Sequence, residues 1–236
     1  MFTKTIYSTL MAGLATASPF SPSRRQFQGN YPPQTTADAF TLVANISTPS
    51  EIFNPDINGW FLSGVHVGAG QNAAILQPAI GSVFFVNGTG RDVSAQATSI
   101  ALPPIKVQGG AVPGGLQFTP YGNSDTVVNL GLNIGPGSTG AGVVGGLRSP
   151  WAQAFTPYPH FIVCNETEPA YGRPQHAVKL APSVESIPDN CVAVRFLAQC
   201  ASLPEDVFDG TEELNIHHIG APCYEDVGAI DWSQYD

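Results

Sequence analysis

The sequence predicts an all-β fold, an antiparallel β-sandwich or barrel of short strands. The chain contains 25 glycines and 21 prolines, which interrupt it too often for long helices. Its apolar residues alternate with polar ones more often than they recur at helical spacing. Short alternating runs between Gly, Pro and Asn turns are typical of sandwiches and barrels. We therefore expect a single β domain over residues 39–200.

The clearest strand is the segment VVNLGLNI at residues 127–134. In an extended chain Val128, Leu130, Leu132 and Ile134 point to one face, which predicts a core-facing side. The opposite face carries Val127 and three small or polar residues. Seven further runs have the same character and are expected to be strands: 40–46, 60–67, 82–86, 115–118, 160–164, 176–180 and 191–196.

Two segments are expected to differ from this pattern. Residues 135–146 are so rich in glycine that they predict a mobile loop, because little side chain remains to bury. One short helix is expected near residues 203–209, where Ser202 can cap the first turn and Glu205 can reach back to it.

The segment VHVGAGQNAAIL at residues 65–76 has the G-x-G-x-x-A spacing of a dinucleotide-binding turn. That turn requires a following helix, whereas here Pro78 and Gly81 end any helix within about two turns. We interpret residues 68–72 as a tight connection between antiparallel strands, with at least one glycine at positive φ. No nucleotide or other cofactor is expected.

The N-terminus predicts secretion. Lys4 precedes an uncharged stretch and small residues follow, which indicates a signal peptide at residues 1–17 with cleavage after Ala17. Residues 18–38 are then a pro-segment or flexible linker. The pair Arg24 and Arg25 is either a processing site or a solvated pair of charges. No segment has the roughly 18 apolar residues that a membrane span needs.

The charge of the chain limits its partners. The net charge is −9, and removing residues 1–25 would leave 6 basic against 18 acidic residues, a net charge of −12. Because phosphate groups attract Lys and Arg, nucleic acid and anionic membranes are not expected partners. Nine of the acidic residues follow Cys200, where no Lys or Arg occurs. Residues 201–236 therefore predict an extended, solvated acidic tail.

Four cysteines in an exported chain predict two disulfides. The segment from Cys191 to Cys200 is predicted as one strand, which would hold these two residues roughly 30 Å apart and exclude their pairing. Two connectivities remain. We favour a bridge between Cys164 and Cys191, with a second between Cys200 and Cys223 that ties down the acidic tail.

Three N-x-S/T triplets place candidate glycosylation sites at Asn45, Asn87 and Asn165. Glycosylation of one or more is expected, which would put those segments on the surface.

No catalytic or metal-binding set is recognisable. The five histidines are scattered, without triad or metal spacing, and no pair of facing carboxylates suits a glycosidase. A partly buried, hydrogen-bonded role is favoured for His66. Exported β domains often bind sugars through aromatic and amide side chains, so Trp60, His66, Gln71 and Asn72 are the ligand-binding candidates.

The function that fits best is a secreted, non-enzymatic, extracellular or cell-wall-associated protein. A carbohydrate-binding module is the alternative, with extracellular or cell-wall glycans as partners, and a secreted hydrolase is the third reading.

Several ordered blocks resemble one family. HVGAGQNAAIL, FVNGT, FIVC, RPQHAVKL and IPDNCVAV, within residues 40–194, are similar to an uncharacterised family of small secreted proteins of filamentous fungi, classed only as a domain of unknown function. The resemblance implies secretion and puts the family's recurring cysteine pair at Cys164 and Cys191. It implies no activity. The sequence departs from the family between these cysteines, where other members are rich in tryptophan.

Overall fold

The all-β prediction is confirmed. A computed structural model describes residues 31–46, 51–121, 124–146, 149–168 and 172–235, which contain fifteen strands, one α-helix and three short 3₁₀ turns. The elements are β1 (Thr35–Ala37), β2 (Ala39–Asn45), β3 (Phe61–Gly68), β4 (Gln71–Gln77), β5 (Phe85–Asn87), α1 (Gly90–Ala95), β6 (Ser99–Val107), β7 (Gly110–Tyr121), β8 (Ser124–Ile134), β9 (Gly142–Val144), β10 (Gln153–Phe155), β11 (His160–Glu168), β12 (Arg173–Ala181), β13 (Cys191–Ala201), β14 (His218–Ile219) and β15 (Ala221–Cys223).

Six antiparallel strands close into a ring. The order around it is β2, β3, β4, β12, β11 and β13, and β13 pairs again with β2. β8 joins the ring beside β4 and β12, and β7, β6, β5 and β14 continue the sheet from there. β10 and β9 extend it beyond β13. A closed ring leaves fewer open strand edges than a flat sheet.

The main core is shared by the strands of this ring and by β5 to β8. It holds Phe40, Leu62, Phe196 and the predicted inner residues of β8, which include Leu130 and Leu132. The prediction for β8 is right for three of its four residues. Ile134 is 45% exposed, because the strand ends there beside the β3–β4 turn.

All eight predicted strands coincide with strands of the structure, although the run at 82–86 contributes only its last residues to β5. The predicted turn is also confirmed. β3 and β4 form an antiparallel hairpin in which Gly68 is opposite Gln71, and Gly70 has a φ of +70°. The glycine motif is therefore a turn between strands, with no helix after it.

The prediction of a helix near residues 203–209 is wrong. Backbone amides of this segment donate to carbonyls three residues back, as Val207 does to Pro204 and Asp209 to Asp206, so the segment is a series of turns. It reaches Gly210, with a φ of +71°, before a helix can propagate. The α-helix is instead α1, whose first turn is capped by the Thr89 hydroxyl.

The glycine-rich segment 135–146 is packed rather than a loose loop. A Cβ at Gly137 would lie 2.5 Å from the carbonyl oxygen of Ile100, so the backbones themselves are in contact. Ala141 is fully buried, and the segment ends in β9. Glycine here allows close backbone approach, which replaces side-chain burial.

The acidic C-terminal segment is not an extended solvated tail. Tyr224 and Val227 are buried against Ala152 and Leu197, and the Tyr224 backbone bonds to Ala198 and Cys200. The prediction rested on the charges and on the bridge between Cys200 and Cys223, and it overlooked the apolar residues of the segment. Most of the described carboxylates remain in solvent, while the apolar residues between them anchor the segment.

Two disulfides are present, between Cys164 and Cys191 and between Cys200 and Cys223, which is the favoured connectivity. The first joins opposite residues of β11 and β13. The signal peptide 1–17, with Ala17, and the dibasic site at Arg25 lie outside the described residues. In the part of the chain that the structure describes, no helix is long and apolar enough to cross a membrane.

Candidate functional site

The first candidate site is a groove on the sheet where β4, β8, β12 and β11 meet. Its volume is about 490 Å³. We call it the amide groove, because four of its side chains end in a carboxamide. It is lined by Val67, Gln71, Asn72, Ala73, Ala74, Asn129, Leu130, Gly131, Asn133, Glu166, Thr167, Ala177, Val178 and Lys179.

Small residues from three strands leave room for this groove. Ala73 of β4 is opposite Gly131 of β8, and Ala177 of β12 is opposite Ile75 of β4. A larger residue at position 131 would displace the Asn133 amide, because a Cβ there would lie 2.6 Å from Nδ2 of Asn133. The register of three strands thus places small residues side by side.

Hydrogen bonds hold the amides at one end of the groove. The Asn72 backbone N–H donates to Oδ1 of Asn133 over 2.9 Å, and Asn72 Nδ2 donates to the Leu132 carbonyl over 2.8 Å. Asn133 Nδ2 donates to Oε1 of Gln117 over 3.3 Å. Gln117 is itself held by the carbonyls of Ile134 and Pro136. These amides are fixed before any ligand arrives.

An ion pair lies at the other end. Nζ of Lys179 is 2.6 Å and 2.7 Å from the two carboxylate oxygens of Glu166, and the two side chains are only 5% and 25% exposed. Cys164 and Cys191 are close to Glu166, a grouping that resembles a metal site. Their sulfurs are bonded to each other, so neither thiolate is available as a ligand.

The structure brings together two of the four ligand-binding candidates. Gln71 and Asn72 line the amide groove. His66 is opposite Asn72 in the β3–β4 hairpin but is exposed, contrary to the partly buried role expected for it. Trp60 packs on the main core, with its ring 5.1 Å from that of His176.

Sequence reasoning missed the other charged and carboxamide residues of the groove, which are Asn129, Asn133, Glu166 and Lys179. The alternation of β8 already put the two asparagines on the face opposite the core. Glu166 and Lys179 gave no comparable signal, because their meeting depends on the pairing of β11 with β12.

A second, larger cavity of about 840 Å³ opens beside β13, between β11 and β10. We call it the Arg195 cavity. Its polar lining residues include Asn45, Gln153, His160 and Arg195, together with the exposed Glu51.

The three glycosylation candidates differ in exposure. Asn165 on β11 is exposed, and Asn87 is half-buried, with its Oδ1 accepting a bond from the backbone of His217. Asn45 lies within β2, is 6% exposed and lines the Arg195 cavity.

His176 is held between two aromatic rings. Its ring makes T-shaped contacts with the rings of Phe53 and Trp60, at 5.2 Å and 5.1 Å between ring centres. Its Nδ1 is buried and has no hydrogen-bond partner among the described residues. Burial lowers the pKa of His176 below its usual value of 6.5, because the charged ring would lose hydration.

Comparisons with known proteins agree with the resemblance seen in the sequence. Residues 37–200 match the family model described as "Domain of unknown function (DUF7907)". A curated relative, "Antigenic protein SchS34" of Stachybotrys chartarum, is 34% identical over 227 residues, which cover 89% of this chain and 96% of the relative. No solved structure matches the chain.

Proposed function

We propose that this chain, which belongs to the family of the domain of unknown function DUF7907, is a secreted, non-enzymatic protein of the cell exterior or cell wall that binds carbohydrate in the amide groove. The observation that carries the proposal is the groove itself, a cleft of fixed amides and one ion pair over a floor of small residues.

Four features support an extracellular location. Disulfides such as these two form in oxidising compartments. The N-x-S/T triplets can be glycosylated only in a protein that enters the secretory pathway. The relative from Stachybotrys chartarum is named an antigenic protein, a name that suits a protein met outside the fungal cell. The N-terminal signal pattern points the same way.

The chemistry of the groove favours sugars. Carboxamides both donate and accept hydrogen bonds, as sugar hydroxyls do, and the Lys179–Glu166 pair adds charged partners of both signs. A floor of alanine and glycine lets a flat ring approach the sheet. The volume lies within the range of small-ligand sites, about 300–1,000 Å³.

The same groove supports binding without hydrolysis. Glycoside hydrolysis normally uses two carboxylates on either side of the scissile bond. Glu166 is the one acidic residue among those that line the groove, and it is already bound to Lys179. Its carboxylate is therefore poorly placed to act as an acid or a nucleophile.

The test is binding of the secreted protein to a glycan array and to insoluble chitin, β-glucan and cellulose. Ala177→Leu should weaken binding at least tenfold by filling the groove floor. Ala111→Leu is the matched control, because Ala111 is also a partly exposed strand residue but lies on β7, outside the groove. Equal binding by both variants would contradict the groove as the site.

Catalysis is tested in parallel by measuring reducing ends released from the same polysaccharides. We expect none above background. Turnover by the wild-type protein that Glu166→Gln abolishes would refute the non-enzymatic assignment.

A further inference from the structure

The Arg195 cavity contains an unusual cation. The guanidinium carbon of Arg195 lies 4.5 Å from the ring centre of Trp151, so the charge is close to the aromatic ring. Nη1 donates to Oδ1 of Asn45 over 3.4 Å, a long bond. These contacts orient the guanidinium, and among the described residues most of its five N–H groups have no strong acceptor.

Arg195 has no carboxylate within ion-pair distance in the described residues. Lys106 pairs there with Asp206 and Lys179 with Glu166, yet half-buried Arg195 has neither such contact nor full solvation. The chain has 18 acidic residues and only 9 basic ones, so carboxylates are not scarce. A cation that is partly removed from water without an anion is costly, which favours an anionic ligand.

The cavity around Arg195 suits a polar ring. Its volume of about 840 Å³ is large enough for one or two sugar units. Gln153 and His160 supply hydrogen-bonding groups on the lining, and β10 and β11 hold them in place. The planar guanidinium can meet a carboxylate with two parallel N–H bonds.

We propose that the Arg195 cavity is a binding site for a sugar acid, with the ligand carboxylate on the Arg195 guanidinium and its hydroxyls on Asn45, Gln153 and His160. Glu51 also lines the cavity, and its negative charge disfavours a doubly charged phosphate more than a singly charged carboxylate. The site is separate from the amide groove, so either proposal can fail alone.

Calorimetric titration with D-galacturonate tests this site, with D-galactose as the neutral counterpart and inorganic phosphate as the alternative anion. We expect galacturonate to bind at least tenfold more tightly than galactose or phosphate. Equal affinities for the acid and the neutral sugar, tighter binding of phosphate, or no saturable binding of galacturonate by wild type would overturn the proposal.

Variants then test whether Arg195 supplies the positive charge that binds the ligand carboxylate. Arg195→Gln should weaken galacturonate binding tenfold or more, and Arg195→Lys should also weaken it, because an ammonium group cannot make the planar two-bond contact. Glu51→Gln should bind as tightly as wild type or more tightly, and it leaves Arg195 in place should the other variants fold poorly. Arg91→Gln is the control, since Arg91 is an exposed residue of α1. Unchanged affinity in Arg195→Gln, or weaker binding in Glu51→Gln, would contradict the assignment.

Discussion

Replacing Gly70 by valine tests whether the β3–β4 hairpin depends on a left-handed residue. Gly70 has a φ of +70°, which a β-branched residue adopts only with strain. We expect the substitution to lower the free energy of unfolding by about 1–3 kcal/mol. The new Cβ would also lie 3.2 Å from Cδ1 of Ile134, but that side chain is half exposed and can move aside. The backbone contribution therefore dominates.

Gly68 provides the matched control in the same hairpin. Its φ is not positive, and a Cβ there would meet Oε1 of Gln71 at 3.6 Å, an ordinary contact. Gly68→Val should change the free energy of unfolding by no more than about 0.5 kcal/mol. The sequence alone predicts a similar loss of stability for valine at both glycines. The structure predicts a large loss at Gly70 and a small one at Gly68. Gly70→Asn should cost less than Gly70→Val, because asparagine tolerates the left-handed region.

The assay is urea unfolding followed by tryptophan fluorescence, with both disulfides intact. A loss of about 2 kcal/mol would lower the urea midpoint by roughly 1 M at a typical denaturant dependence. Equal losses in the two valine variants, or a larger loss at Gly68, would refute the reasoning from backbone conformation.

Three further predictions follow from single sites. Glu166→Gln should lower the free energy of unfolding by about 3 kcal/mol, because it removes the anion beside a buried ammonium group. Lys179→Met should lower it by less. Urea midpoints of the two variants check this order, and the reverse order would contradict it. Because burial lowers the pKa of His176 in the fold, the unfolded chain takes up the proton first, so stability present above pH 6.5 should fall as the pH decreases toward the folded pKa. The pH dependence of unfolding should be shallower in His176→Phe, and identical slopes would exclude this residue as the cause. Mass spectrometry of glycopeptides should find the highest occupancy at exposed Asn165 and the lowest at Asn45, which is 6% exposed, and full occupancy at Asn45 would contradict this order.

The sequence predicted where the strands lie better than it predicted which strands pair with each other. Alternation is a local property, so the inner face of β8 was visible from Val128 to Leu132. β9 and β10 have three residues each and are too short to show alternation. The closed ring depends on β11 pairing with both β12 and β13, which is non-local information. The prediction at residues 203–209 was wrong because a capping pattern marks a possible first turn and cannot show whether the residues after it continue as a helix.

The two candidate sites were predictable to different degrees. Gln71 and Asn72 were identified because they lie beside a conspicuous turn. Lys179 lies opposite Asn129 because β8 and β12 are neighbours, and no local pattern specifies that. Arg195 was not singled out either, since a lone arginine in a strand looks like a solvated charge until its surroundings are known.

Both candidate sites depend on the position of β11. Glu166, near its end, lines the amide groove, and His160, at its start, lines the Arg195 cavity. The disulfide between Cys164 and Cys191 joins β11 to β13 between these two residues, where the opposite Cα atoms are 4.0 Å apart. A strand held by a covalent cross-link and by hydrogen bonds on both edges has little freedom to lose when a ligand binds. Small polar ligands offer little apolar area, so this pre-organisation would favour the binding that we propose for the two sites.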